Sequence, residues 1–112
     1  MSIYFIGLNG KIMYDFGVII AYDCEKSKIR NKIVKICKNY GLKRLEYSVF
    51  VGVINKTAYN NMIAEFNDIE LKTPFIVFVQ RLSVNELNDF NLIEYDSDKL
   101  KHYSREEGKT VI

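Results

Sequence analysis

Tryptophan is missing from these 112 residues, and proline and histidine each occur once, at Pro74 and His102. With one histidine, lodged in a polar carboxyl-terminal stretch and assigned no role, imidazole-based acid–base chemistry and histidine-rich metal sites fall away. Cysteine is nearly as scarce. Cys24 and Cys37 stand 13 positions apart, without the paired spacing of a zinc site or the density of a disulfide-stapled domain. That usage fits a reducing compartment, so the expected location is cytoplasmic. Long apolar runs are lacking too: Val18 to Ala21 and Phe75 to Val79 are strand length, far below the roughly 20 residues of a membrane-spanning helix. Met1 to Ile6 has neither the charged start nor the small-residue cleavage site of a secretory signal. No membrane partner is expected.

Net charge is small as well, at +2, so any affinity for polyanions must come from how charge is distributed. From Glu25 to Glu46 there are eight lysines and arginines against two glutamates, a surplus of six cations that leaves the rest of the chain with a deficit of four. One positive face is the consequence.

At 112 residues the chain suits a single core. Phe16 to Asp23 is rich in Val, Ile and aromatic residues and almost continuously apolar, the pattern of a central strand covered on both faces. Ser27 is placed to cap a following helix whose apolar positions Ile29, Ile33, Ile36, Cys37 and Tyr40 recur at helical spacing, and Gly41 supplies a left-handed stop. Between Lys43 and Ile54, Leu45, Tyr47, Val49, Val51 and Val53 alternate with Arg44, Glu46, Ser48, Phe50 and Gly52. Two short strands bent near Ser48 or one long curved strand both satisfy that alternation. A second helix is predicted from a cap at Thr57 to Asn67, with Tyr59, Met62, Ile63 and Phe66 inward. Pro74 opens a strand through Val79, Ser83 to Asp89 reads as a polar link, and Asn91 to Tyr95 as a further short strand.

This order is that of an α+β split β-α-β sandwich, βαββαβ, an antiparallel sheet with both helices on one face. Its other face carries apolar residues, and pairing with an identical chain is the simplest cover, so a two-fold homodimer through the sheet face is predicted. Residues 13–95 form the expected domain and 96–112 a polar tail. Residues 1–12 are an extension, read either as preceding a start at Met13 or as an extra arm in which Asn9-Gly10 turns a hairpin.

Asp23 ends the first long strand beside a helix carrying Lys28, Arg30, Lys32, Lys35 and Lys38. One strand-end carboxylate next to a row of cations suits a phosphodiester chain and a divalent cation, which makes nucleic acid the leading ligand. Lys28, Lys32 and Lys35 share a stripe opposite the apolar one and project into solvent. A plain solvated face is the alternative, weakened by the lack of acids between Lys26 and Lys38. Asp23 in turn either serves such chemistry or accepts N–H groups of the next turn. Glu25 is read as an exposed loop residue, and Tyr47 and Phe50 either stack on bases or pack.

Three segments resemble the small CRISPR-associated Cas-two adaptation family: Val18-Ile19-Ile20-Ala21-Tyr22-Asp23, Ile29-Arg30-Asn31-Lys32, and Tyr40-Gly41-Leu42-Lys43-Arg44-Leu45-Glu46-Tyr47-Ser48-Val49-Phe50-Val51-Gly52. The likeness runs well from about Met13 to Gln80. It implies a ferredoxin-like homodimer in which Asp23 meets its twin on the axis and holds a magnesium ion, with phosphate contacts from Arg30 and Arg44. It further implies a structural or catalytic-site role for Tyr22, Ser48 and Phe50, and partnership with the Cas-one integrase. This chain departs from the pattern at Lys32, where many members have arginine, at Cys24, where an aliphatic or small residue is commoner, and in residues 1–12. Lysine keeps the charge but loses the bidentate fork.

Three functions stay open on this reading. One is an adaptor that binds double-stranded DNA and bridges integrase subunits in spacer acquisition. Another is a magnesium-dependent endonuclease cutting RNA or double-stranded DNA, in which paired Asp23 carboxylates meet magnesium's demand for hard oxygen ligands. The third is a toxin endoribonuclease like virulence-associated protein D, similar in fold and in its strand-end aspartate.

Overall fold

Nine residues, Phe16–Cys24, form the strand on which everything else is built; they lie second from one edge of a four-stranded sheet. The computed structural model describes residues 4–6, 12–69 and 73–93. In chain order the elements are β1 Tyr4–Ile6, β2 Ile12–Tyr14, β3 Phe16–Cys24, α1 Ser27–Asn39, β4 Lys43–Glu46, β5 Val49–Ile54, α2 Lys56–Asn67, β6 Phe75–Leu82 and α3 Val84–Asn88. The sheet order is β4-β5-β3-β6 with every pair antiparallel, so β3 to β6 with α1 and α2 have the ferredoxin-like βαββαβ arrangement. Ahead of them β1 and β2 pair antiparallel, Ile6 opposite Ile12; the Asn9-Gly10 turn lies outside the described residues.

Alternation along β3 sorts the core. Val18, Ile20, Tyr22 and Cys24 face α1 and α2, packing with Ile29, Ile33, Ile36 and Cys37 of α1 and Met62 and Phe66 of α2. The register places Phe50 and Val79 beside Ile20 on that same face. Both long helices therefore cover one side of the sheet. The long alternating segment resolves into two strands, β4 and β5, folded back at Tyr47-Ser48 with an irregularity between Arg44 and Glu46.

The helix ends differ in part from expectation. α1 begins at Ser27 itself, after Lys26, and no side chain caps it. Its other end follows the sequence: Gly41 takes φ +79°, and the N–H groups of Gly41 and Leu42 bond to the carbonyls of Lys38 and Cys37, both at 3.0 Å. That pair of bonds is a Schellman stop, and it delivers Leu42 into the core. Gly52 accommodates the arrival, since a Cβ there would stand 2.6 Å from Leu42 Cδ2. α2 is capped by Asn55, not Thr57; the Asn55 side chain accepts from the Ala58 N–H at 2.8 Å.

Two readings near the carboxyl end are corrected. The link expected at Ser83 to Asp89 is the short helix α3, held by a reciprocal capping box between Ser83 and Glu86. Residues 91–93, expected to begin a strand, are not in one, and Glu94 and Tyr95 lie outside the described residues. α3 rests on the sheet face opposite α1 and α2. There Leu87 packs with Val51, Ile19 and Leu82, and a Cβ on Gly17 would stand 2.9 Å from Leu87 Cβ.

Candidate functional site

β3 ends where α1, the Tyr47-Ser48 turn and the start of β6 meet. Tyr22 points inward and is fastened twice to the turn: its backbone N–H donates to the Ser48 carbonyl at 3.1 Å and its phenol to the Tyr47 carbonyl at 3.2 Å. Its ring stacks on Phe50 with centroids 6.4 Å apart. Burial pushes the Tyr22 phenol up from its ordinary value, opposed by Arg44 and reinforced by Cys37 and Tyr47, so the hydroxyl keeps its proton and works as a donor.

Asp23 points the other way. It is exposed on the face not covered by α1 and α2, opposite Ile76 of β6 in the register. Asp23 and Glu25 both edge a hollow of about 340 Å³ completed by Cys24, Pro74, Phe75 and Ile76. Sequence reasoning left Glu25 aside as a loop residue. The available signal was its place two residues after Asp23, just past the end of β3. These carboxylates are hard oxygen donors, one or two of which, with water and phosphate, suit magnesium. Among the described residues no group of three or more histidine, cysteine, aspartate or glutamate side chains converges.

Arg30, one turn into α1, reaches back to this strand end. Its Nη1 donates to the Cys24 carbonyl at 3.0 Å and the Glu25 carbonyl at 3.5 Å. Arg44 on edge strand β4 lies with its guanidinium carbon 5.1 Å above the Phe50 ring. Phe50 is fully buried, so its part is packing rather than stacking on a base. Ser48 is half-buried, and its backbone carbonyl holds Tyr22.

Lys28, Lys32 and Lys35 are all exposed on α1. They do not share one setting. Lys32 and Lys35 flank a groove of about 400 Å³ whose other wall brings Glu65 and Asp68 from the end of α2, with Asn39, Ile36 and Ile69 between. The acids missing from the α1 sequence are thus provided across space, and Glu65 also accepts a hydrogen bond from the Tyr40 hydroxyl. Lys28 is outside that groove, at the Asp23 end. Both cysteines are buried and free, and burial pushes the Cys37 thiol up to about 12, which makes it unreactive.

The face carrying Asp23 also exposes large apolar side chains. Ile76 is 66% and Phe78 54% exposed, neighbours of Asp23 and Ala21 across the β3–β6 ladder. Among the described residues no helix is long and apolar enough to cross a membrane.

The chain is similar to known proteins. Residues 16–89 match the family model described as CRISPR associated protein Cas2. A relative from Methanospirillum hungatei, named CRISPR-associated endoribonuclease Cas2 1, is 47% identical over 47 residues, 42% of this chain and 50% of its own. One from Pyrobaculum aerophilum, CRISPR-associated endoribonuclease Cas2 2, is 38% identical over 46% of this chain and 57% of its own. These two matches span about half of each relative's length. A third, CRISPR-associated endoribonuclease Cas2 1 of Francisella tularensis subsp. novicida, is 34% identical over 76% of this chain and 87% of its own.

Proposed function

The chain belongs to the CRISPR-associated Cas2 family, and from that premise we propose that it acts in spacer acquisition as a homodimer paired through its open sheet face. In this reading the dimer holds double-stranded DNA along α1 and Arg44, bridges subunits of the Cas-one integrase, and hydrolyses phosphodiesters of RNA or double-stranded DNA at its Asp23 pair. The observation that carries it is the shared location of Asp23, Ile76 and Phe78: burying the exposed apolar residues against a second copy brings the two Asp23 side chains toward one axis. The relatives named endoribonucleases support hydrolysis. Family membership favours this reading over a toxin like virulence-associated protein D.

Asp23, joined by Glu25 at the same hollow, would hold magnesium. When bound, the ion supplies a Lewis acid that neutralises charge on the phosphoryl oxygens. The chain's own residues do the rest. Asp23 presents a carboxylate to the cleft, and Tyr22, protonated and twice bonded to the Tyr47-Ser48 turn, fixes the backbone that carries it. Lys28, Lys32, Lys35 and Arg44 hold phosphates without reading sequence.

Two measurements test this. Wild type cleaves a short labelled duplex with magnesium and not with a chelator; Asp23→Asn loses cleavage yet still binds the duplex and supports spacer integration. Equal cleavage by the two proteins ends the hydrolytic role of Asp23. Separately, a Lys28, Lys32, Lys35 triple alanine variant should lose about 0.9 from the salt slope for each phosphate contact removed from a B-form duplex. Unchanged slope rejects the helix face.

A further inference from the structure

Three successive backbone carbonyls between Asp23 and α1 accept hydrogen bonds from one residue. Arg30 donates its Nη1 to the carbonyls of Cys24 at 3.0 Å and Glu25 at 3.5 Å, and its backbone N–H to the carbonyl of Lys26 at 3.0 Å, the first bond of the helix. We propose that Arg30 is a positioning residue: it clasps the link from β3 to α1 and thereby fixes the segment that presents Asp23 and Glu25, rather than serving primarily as a phosphate ligand. The proposal rests on the hydrolytic reading only for its consequence in catalysis.

The physical need is local. The last β3–β6 pair is Cys24 with Phe75, so the chain leaves the sheet there and must find other partners for its carbonyls before the helix takes over. α1 has no side-chain cap, and apart from Arg30 the link has one weak tie, the Cys24 thiol donating to the Lys26 carbonyl at 3.5 Å. A charged guanidinium makes stronger bonds than a neutral donor, and its Nη1 lies within reach of both oxygens. Arg30 is half-buried, which keeps its stem against the core while its head lies over the link. On the other side of Asp23, Tyr22 is fastened to the Tyr47-Ser48 turn. The exposed carboxylate therefore sits between two anchored residues. Its geometry is set by the backbone, as a precise site requires.

Arg30→Lys keeps the charge and loses the guanidinium whose Nη1 reaches both carbonyls; Arg30→Gln loses charge and guanidinium alike; Lys28→Gln is the comparator for a cation facing solvent. Amide hydrogen exchange, duplex affinity against salt, and steady-state cleavage are measured on the full chain. The clasp predicts exchange over residues 23–26 faster by about tenfold in both Arg30 variants, the size expected for losing one charge-assisted hydrogen bond. It predicts a fall in kcat of about 10- to 100-fold with KM little changed, and no rescue by lysine. The salt slope drops by about 0.9 in Lys28→Gln if that lysine meets one phosphate, and much less in Arg30→Gln. Wild-type exchange in Arg30→Lys, with a slope loss in Arg30→Gln equal to that of Lys28→Gln, overturns the proposal and makes Arg30 a phosphate contact. If the wild type itself cleaves nothing, the hydrolytic reading fails, while exchange and salt slope still decide the clasp.

Discussion

Along β3, Val18, Ile20, Tyr22 and Cys24 turn toward α1 and α2 and are all more than nine-tenths buried, whereas Ile19 and Ala21 on the other side are partly covered and Asp23 is exposed. Residues one position apart thus belong to different environments. The helix-covered face is a closed packing problem with Phe50, Ile20, Ile33, Met62, Val18 and Cys37 at its centre. On the opposite face, the short α3 covers the Gly17 end of β3 and leaves the Asp23 end, with Ile76 and Phe78, uncovered among the described residues. One face holds the fold together; the other leaves a carboxylate and apolar side chains available for a partner and a ligand.

That contrast can be broken first at the closed face. Met62→Ala should destabilise the protein by about 2–5 kcal/mol in urea titrations, because its fully buried side chain leaves a cavity between α2 and the sheet. A cost below about 0.5 kcal/mol, the usual scale of surface substitutions, would mean that this face is not the core.

Alkaline pH sharpens the comparison next, since the raised thiol and phenol lie on the closed face. Cys37 holds its proton up to about 12 when folded, against an ordinary value of 9.0, so the folded chain retains a proton that the unfolded chain gives up. The associated stability is intact below pH about 9 and declines as pH rises through 12, at up to about 1.4 kcal/mol per unit for one group. Tyr22 acts in the same direction from 10.0 upward. Urea midpoints measured from pH 8 to 11 should fall, and fall less steeply in Cys37→Ala.

The smallest effect on the protomer is expected at the open face. Ile76→Lys with Phe78→Lys should change protomer stability by no more than about 0.5 kcal/mol while light scattering shows the dimer replaced by monomer. A wild type that is already monomeric would remove the pairing on which the proposed Asp23 site depends.

Several of these features were legible in residue order. The spacing of Ile29, Ile33 and Ile36 gave the buried stripe of α1 and Gly41 its stop, while the alternation about Ser48 allowed either two strands or one long curved strand, and the structure has two. Other features were legible but passed over: Ser83 and Glu86 have capping-box spacing, yet the segment reads as polar and short. Thr57 and Asn55 are both plausible caps, and only the backbone bond from Ala58 chooses between them. At the site, sequence pointed to Asp23 and to the cations but could not say what each cation faces. Lys32 and Lys35 share a groove with acids at the end of α2, Arg30 meets backbone carbonyls, and Arg44 lies over an aromatic ring.

What the sequence determined by itself is which residues share a face, because periods of 2 and 3.6 are fixed by backbone geometry and register themselves in the apolar pattern. Tertiary structure alone decided which faces meet. Glu65 stands 30 or more positions from Lys32 and Lys35, and α3 lands on Gly17 from the far end of the domain. Such pairings depend on how the elements cross and close in three dimensions, and a chain's local periodicity carries no record of that.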